Sequence, residues 1–482
     1  MVHSRRRAPT LPLWQPRTLF SANQTVSYLP SQTTPDSGTS SLNFRSGPWK
    51  LLVADIKLVV TLLLWVPYIF LPWRSTNPYS ELYPSWKNMR DLGLHIVLGL
   101  LGFIWLIIVI PVWIAAPGLV FALFMLFYCA LTALFCVPLD CGPRVVQSQT
   151  QHMSGREIRD GENWVFVNGV AAGNHWLQAN VDMISEIFGR PVIGIHNRTY
   201  GTVFDLVECL IQRCFSYATK DTRVLYDHLK GVLLDNNIQK CVVIAHSQGG
   251  IILSTALDSL FADVPSGAFE KMEIYTFGCA ANHFNNPVRF VPSPFQPQTP
   301  SADPLAPEER LIKYIEHYCN EHDFVARFGA LRFSKDKLSN RFVGKVFENK
   351  GHGGHLLNQH YLDRMFAGDS SDFLEMAVEV EEDRAAQRAQ IPGEETVQEE
   401  PRSSRSWPPA RTDFRMASVE IPNDLEQMRT LGRSIAVPAL GTGWDFAAGA
   451  RAGARASAEI QSGRTVRELS RLWRYKDGRS PD

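Results

Sequence analysis

The feature that most constrains this chain is a run of 48 residues without a charged side chain, from Leu92 to Leu139. A bilayer crossing takes about 20 apolar residues, so the run is long enough for two crossings. Pro117 and Gly118 lie near its middle, where they predict the turn of a helical hairpin. Two buried helices of a water-soluble protein would normally carry a polar face within this length. The sequence therefore predicts a membrane hairpin over residues 92–139.

A second apolar segment, over residues 51–73, allows two interpretations. Asp55 and Lys57 lie in its first two turns, and two prolines lie near its end. The segment either crosses the membrane with its charged end at the headgroups or lies in the interface with its aromatic side chains at headgroup level. The predicted membrane region, residues 51–139, therefore has two or three crossings. This number decides whether the two ends of the protein share a side of the membrane.

Both ends of the chain have a composition typical of disorder. Residues 1–48 are rich in Ser, Thr, Pro and Arg and have no acidic residue before Asp36, which predicts a disordered basic tail on the cytosolic side. Residues 367–482 are predicted to be mostly disordered as well. One stretch of that tail, residues 465–475, has helical spacing and a basic face, and we expect it to contact a membrane or a partner helix, or to be a transient helix. Both long tails suit the binding of protein partners.

Between residues 151 and 366 the pattern changes to short apolar runs that alternate with helical periodicities. Runs such as residues 241–244 are continuously apolar, as in strands that are covered on both faces. The sequence therefore predicts an α/β domain with a mostly parallel sheet covered by helices. The predicted strands are residues 164–167, 191–196, 240–245, 272–277, 311–318 and 341–347, and the predicted helices are residues 175–188, 203–217, 222–236, 249–262 and 356–366.

Charge and cysteine content argue against several functions. The chain has 48 Lys and Arg and 48 Asp and Glu, so it lacks the basic field that nucleic-acid binding needs. Its eight cysteines contain no CxxC pair, which argues against a zinc ribbon or a disulfide scaffold. His352, His355 and His360 lie close together in sequence, but no fourth ligand at a known spacing accompanies them. We expect no metal, no cofactor and no nucleic-acid partner.

The chemistry is best indicated by residues 240–250, where an apolar strand runs into Ala-His-Ser-Gln-Gly and a helical pattern follows. A serine on such a turn is held in a strained conformation, which tolerates only small residues two positions before and after it. Residues 245–249 resemble the nucleophile elbow, G-x-S-x-G, of the α/β-hydrolase superfamily in its lipase and esterase branch, with Ala245 in place of the first glycine. The resemblance covers about residues 151–366 and implies that Ser247 is the nucleophile.

The resemblance also implies the rest of a Ser-His-Asp triad, whose members follow in the order Ser, acid, His. Asp323 comes just after a predicted strand and is the expected acid, with Glu321 as the alternative. The histidine lies in a glycine-rich loop before the last predicted helix. His355 is preferred because it directly precedes that helix, and His352 is the alternative base.

Acyl transfer also requires N–H donors for the developing oxyanion. In the family one donor belongs to the residue after the nucleophile, which is Gln248 in this chain. The other comes from the loop after the first predicted strand, where Gly169 or Val170 is the expected donor.

The sequence thus predicts a membrane-anchored serine hydrolase that cleaves an acyl ester, and the membrane region favours a lipid substrate. We expect an integral protein of an intracellular membrane with its hydrolase domain in the cytosol. An acyltransferase or thioesterase with the same triad and a non-catalytic scaffold that keeps the fold are the alternatives. The proline-rich residues 280–310 are expected to form a solvated loop or a cap over the site.

Overall fold

The computed structural model describes residues 25–31, 47–73, 75–149, 160–289, 310–335, 341–367, 372–380 and 463–481. The N-terminal arginines, residues 290–309 of the proline-rich stretch and most of the C-terminal tail lie outside the described residues, together with the predictions made for them. The described chain combines a nine-stranded sheet with three long apolar helices that precede eight of its strands.

The three apolar helices are long and apolar enough to cross a bilayer. Helix α1 (Pro48–Leu62) continues into a 3-10 segment (Leu63–Ile69), and α2 (Trp86–Ala115) and α3 (Gly118–Asp140) form the hairpin. Helix α2 begins earlier than predicted because Ser85 caps it, its hydroxyl accepting a hydrogen bond from the Asn88 N–H. The turn falls at Pro117, as the sequence predicts.

The sheet is mostly parallel, which confirms the α/β prediction. Its strands are β1 (Val26–Leu29), β2 (Val145–Gln147), β3 (Glu162–Val167), β4 (Val192–Ile195), β5 (Lys240–His246), β6 (Met272–Phe277), β7 (Tyr314–Asn320), β8 (Lys345–Asn349) and β9 (Val378–Val380). Their order is β2-β4-β3-β5-β6-β7-β8-β1-β9. The six strands from β4 to β8 in this order are mutually parallel, whereas β2 is antiparallel to β4 and β1 is antiparallel to β8.

Three short strands lie outside the predicted boundaries of the domain. Strand β1 lies within the predicted disordered tail, residues 1–48, yet it enters the sheet with Val26 opposite Asn349. Strand β2 precedes residue 151, and β9 follows residue 366. Strands of three or four residues leave no recognisable alternation, so the sequence pattern could not identify them. The folded domain therefore extends beyond residues 151–366 at both ends.

Helices cover both faces of the sheet and correspond well to the predicted ones. They are α4 (Asn174–Phe188), α5 (Thr202–Phe215), α6 (Lys220–Leu234) and α7 (Gly249–Asp263), followed by the short α8 (Phe324–Phe328) and a π-helix (Leu357–Ala367) where the fifth helix was predicted. One hydrophobic core lies between the sheet and α6 and α7, and the other lies between the sheet, α4 and the π-helix.

The C-terminal stretch differs most from its prediction, because it packs against the chain itself rather than a membrane or a partner. A short helix (Val466–Leu469) and a 3-10 segment (Leu472–Gly478) bury Trp473 and Tyr475 in the second core. Arg471 forms an ion pair of 2.8 Å with Glu273 on β6, and its backbone N–H donates to Glu316 on β7. From the sequence alone this basic helical pattern resembles a solvent-exposed helix, because the two acidic residues that bond to Arg471 lie more than 150 residues away.

Candidate active site

The residues predicted to carry chemistry follow the carboxyl ends of neighbouring parallel strands. Ser247 follows β5, Asp323 follows β7 after two intervening residues, and His355 lies in the loop after β8. The loop from Asn168, which was predicted to hold an oxyanion donor, follows β3. Carboxyl ends of parallel strands meet at one edge of a sheet, where ligands of α/β proteins bind.

Ser247 occupies a strained turn between β5 and α7. Its φ angle is 57°, in the left-handed region that a residue with a side chain seldom adopts. The turn is held from β6, because the Ser247 N–H donates to the Phe277 carbonyl at 3.1 Å and the Ser247 carbonyl accepts from Ala280 at 3.1 Å. The side chain of Ser247 is buried among these loops.

Glycines surround Ser247 because larger residues would not fit. A Cβ atom at Gly169 would lie 2.4 Å from Ser247 Cβ and 2.9 Å from its Oγ. A Cβ atom at Gly249 would lie 2.3 Å from the Val167 carbonyl oxygen. Contacts this short do not occur between real Cβ atoms and their neighbours. The Ser247 turn and the loop after β3 can therefore lie this close only because residues 169 and 249 are both glycine. Ala245, which departs from the family pattern, is fully buried in β5.

Asp323 and His355 form a buried pair. Asp323 Oδ2 lies 2.8 Å from His355 Nδ1, and its other oxygen accepts the Val325 N–H at the start of α8. Gly278 lies against the pair, since a Cβ atom there would be 2.7 Å from Asp323 Oδ2 and 2.9 Å from His355 Nδ1. A carboxylate in this position fixes the proton on Nδ1 and leaves Nε2 as the basic nitrogen.

The Nε2 atom of His355 is buried and has no hydrogen-bond partner within the described residues. The described chain likewise contains no hydrogen bond between this atom and Ser247 Oγ. Leaving a buried polar atom unpaired costs free energy, and such atoms are uncommon in folded proteins unless they have a function. Catalytic hydrogen bonds are often long before substrate binds.

Two side chains that sequence reasoning missed hold this pair in place. Tyr361 donates its hydroxyl proton to Asp323 Oδ2 at 2.6 Å, and burial raises the pKa of Tyr361, which keeps the phenol protonated. His246 stacks on the His355 ring at a centroid distance of 4.6 Å and donates from Nε2 to the His355 carbonyl at 2.7 Å. Burial lowers the pKa of His246 well below its usual value, so its ring is neutral near pH 7. The sequence signal for His246 is its place beside Ser247, whereas Tyr361 carries no motif.

The alternative residues have other partners. His352 Nδ1 bonds to the Lys350 carbonyl at 2.8 Å, and Glu321 accepts the Gly351 N–H at 2.8 Å. His360 bonds to the Pro72 carbonyl at 3.0 Å, and burial lowers the pKa of its ring to about 4. Of these three side chains, none contacts Asp323 through a hydrogen bond in the described part of the chain. The geometry therefore favours His355 and Asp323 over the alternatives His352 and Glu321.

Two of the predicted oxyanion donors, Gly169 and Val170, lie on the loop after β3, which hydrogen bonds of the Asn168 side chain hold in place. Asn168 Oδ1 accepts the Asn197 N–H at 2.7 Å, and Asn168 Nδ2 donates to three carbonyls of this loop and its neighbour. The Gln248 side chain is held by Asn197 at 2.6 Å and by Gln212 of α5 at 3.0 Å. Gly169 lies directly beside Ser247, and Val170 packs on the first core.

The backbone N–H groups of Gly169 and Gln248 donate no hydrogen bond to another backbone group in the described ranges. An oxyanion hole requires backbone N–H groups that are not already bonded within the fold.

The described residues contain no group of three or more His, Cys, Asp or Glu side chains arranged to hold an ion. The side chains of His352, His355 and His360 bond to different partners. No protein-family model and no curated protein matches the chain.

Proposed function

We propose that the protein is a membrane-bound serine hydrolase of the α/β-hydrolase type that cleaves an acyl ester. The observation that carries the proposal is the Asp323–His355 hydrogen bond next to a serine in a strained strand-to-helix turn. Three supporting features agree: the order Ser, acid, His along the chain, the small residues around Ser247, and the position of every member after a parallel strand.

In the proposed reaction His355 Nε2 takes the proton of Ser247 as its Oγ attacks the ester carbonyl. The oxyanion is stabilised by the N–H groups of Gln248 and of Gly169 or Val170. The alcohol leaves with the proton from His355, and water then hydrolyses the acyl-enzyme by the same steps in reverse. Asp323 keeps the imidazole in the reactive tautomer and stabilises its charged form.

A lipid substrate is favoured by the contacts between the apolar helices and the site. The backbone N–H of His355 donates to the carbonyl of Ile69, at the end of the first apolar segment. Gln248, next to the nucleophile, bonds to Gln212 of α5. The outward side chains of helix α5 are apolar and exposed. A membrane-facing site of this kind suits an acylglycerol, a phospholipid or an acylated protein. All eight cysteines are free, which agrees with a domain in the reducing cytosol and an intracellular membrane.

The proposal is tested by comparing the two loop histidines in turnover of a short acyl ester. His355→Ala should lower kcat at least 10³-fold, because the general base is lost, and the double variant with Ser247→Ala should be no worse since triad members act as a unit. His352→Ala is the matched control and should keep most of the activity, because its ring bonds only to a nearby carbonyl. Activity that survives His355→Ala would refute the assignment of the base. Product analysis with an added alcohol or thiol would separate hydrolysis from acyl transfer.

A further inference from the structure

The number of membrane crossings is restricted by β1. This strand precedes all three apolar helices, and every other strand follows them. Even so, β1 pairs with β8 on one side and with β9 on the other, within one sheet. Three crossings would place β1 on the opposite side of the membrane from its two partners. The number of complete crossings is therefore even.

Helix α1 packs along the domain rather than apart from it. At the start of α1, the Trp49 ring lies 5.5 Å from the ring of Phe215 in α5. Further along α1, Asp55 forms a buried ion pair of 3.0 Å with Arg213 of α5. Leu62 packs between Phe324 and Phe328 near the end of the helix.

The chain after α1 also returns to the domain. Asn77 bonds to Asp363 at 2.9 Å, and Glu81 accepts two N–H groups at the start of the π-helix. Both ends of α1 thus lie on the same folded domain, which excludes a crossing by α1.

The α2–α3 hairpin likewise begins and ends on the domain. Asn88 bonds to Trp176 at the start of α2, and Asp140 accepts the Thr199 N–H at the end of α3. Among the described residues, the outermost ring contact between the hairpin and the domain is with Phe204 of α5, whose ring lies 5.2 Å from Trp105 and 6.0 Å from Tyr128.

Beyond this contact the legs of the hairpin are too short to cross. From Trp105 to Ala115 and from Gly118 to Tyr128, ten residue steps each, a helix rises only about 15 Å. The hydrocarbon core of a bilayer is about 30 Å thick. The turn at residues 115–118 is also wholly apolar, which suits hydrocarbon rather than a second headgroup layer.

Helix α5 extends the apolar surface between α1 and the hairpin. Its outward side chains Leu206, Val207, Ile211 and Phe215 are exposed, whereas its inward side buries Asp205, Cys209 and Gln212. This is the pattern of a helix that lies in the plane of a membrane interface. Its exposed side adjoins the exposed side of α1, which carries Val53, Ile56 and Val60. The two helices share a largely apolar surface, and the exposed Lys57 on it can extend its long side chain to the headgroups.

We propose that the outward sides of α1 and α5 together with residues 103–127 form one embedded surface that enters a single leaflet of a phospholipid bilayer. The protein is then monotopic: the hairpin turns near the middle of the bilayer, and none of the three apolar helices crosses. Sequence length alone allows three crossings, whereas the contacts of β1, α1 and α5 leave none.

The test measures the depth of the hairpin turn with the full-length protein in phosphatidylcholine vesicles. Ala116→Cys, in a background with Cys129 and Cys141 replaced by serine, carries an environment-sensitive fluorophore attached before reconstitution. A lipid with a spin label at carbon 12 of its acyl chain should quench this fluorophore at least twofold more than a lipid labelled at its headgroup. The matched control keeps Ala116 and Cys141, has only Cys129 replaced by serine, and carries the fluorophore on Cys141 at the domain end of α3, where the ratio should be reversed. Stronger quenching by the headgroup label at position 116 would overturn the proposal.

A second readout is independent of fluorescence and of folding defects at the turn. A membrane-impermeant maleimide, present on both sides of sealed vesicles, should leave Ala116→Cys unlabelled until detergent is added. Labelling without detergent would mean that the turn emerges from the membrane, and the hairpin would then be two crossings.

Discussion

Two buried carboxylates, one on and one just after neighbouring strands of one sheet, bond to different basic side chains. Asp323, at the carboxyl end of β7, accepts from Tyr361 and contacts an imidazole, His355. Glu273, at the amino-terminal half of β6, accepts from Tyr275 and Tyr475 and contacts a guanidinium, that of Arg471.

The difference lies in the basic partner rather than in the carboxylate. An imidazole as a side-chain type can accept and release a proton near neutral pH, and His355 Nε2 has no hydrogen-bond partner among the described residues. A guanidinium keeps its proton at any pH a protein survives. The first pair is therefore suited to moving a proton. The second pair fixes the C-terminal segment to the sheet.

The largest effect is expected from Asp323→Asn. The amide no longer fixes the proton on His355 Nδ1, so kcat for an acyl ester should fall about 10⁴-fold. The free energy of unfolding should fall by no more than about 2 kcal/mol, because the oxygen that accepts the Val325 N–H is retained and only the bonds from Tyr361 and His355 to the other oxygen are lost. Turnover and denaturant unfolding of the same preparation measure both quantities. A severe loss of stability with modest loss of turnover would make this pair structural, like the one at Glu273.

The reverse outcome is expected from Arg471→Met. Removal of the cation leaves Glu273 buried without its ion-pair partner, so the free energy of unfolding should fall by about 3 kcal/mol. Glu316 keeps its bond from the backbone N–H of residue 471 and its ion pair with Lys345. The turnover number per folded molecule should stay within twofold of the wild-type value, since Arg471 lies on the opposite end of the sheet from Ser247. Loss of turnover in molecules that remain folded would show that the two pairs are coupled.

A smaller effect on activity is expected from Gly278→Ala. The new methyl group would meet both Asp323 Oδ2 and His355 Nδ1, and a displacement of about 1 Å at a catalytic group costs about 100-fold in rate. Gly351→Ala is the matched control, because Gly351 also has a positive φ but nothing within 4 Å of its added Cβ atom. Both variants share a loss of about 1 kcal/mol of stability through backbone strain, and only Gly278→Ala adds the clash with the pair. Equal losses of activity in the two variants would contradict the position assigned to Gly278.

The sequence predicts the parts of the fold and of the candidate site that depend on local patterns, and it misses the parts that depend on contacts between distant residues. The six central strands and four of the helices are local patterns, and Ser247, Asp323 and His355 lie just after such strands, so the sequence pattern is enough to propose them. Strand β1 and the residues around Arg471 are stabilised by partners more than 150 residues away, and no local pattern encodes such contacts. Tyr361 was missed for a similar reason, because its contact with Asp323 follows from the path of the π-helix.

The embedded surface was also beyond sequence reasoning. Hydropathy gives the length of an apolar helix but not the surface on which it lies, so residues 51–73 allowed either a crossing or an interfacial position. The Asp55–Arg213 ion pair decides in favour of a helix attached to the domain. A buried ion pair between residues 158 apart leaves no mark in a hydropathy profile.

The most direct test of the central claim is to treat membranes containing the full-length protein with a fluorophosphonate probe and to locate the modified residue by peptide mapping. Our account predicts one adduct, on Ser247, because only a serine with a neighbouring base reacts rapidly with such a probe. The adduct should be absent in Ser247→Ala and slowed at least 10³-fold in His355→Ala, whereas His352→Ala should be labelled at the wild-type rate. A folded wild-type protein that is not labelled at Ser247, or is labelled equally fast without His355, would contradict the account.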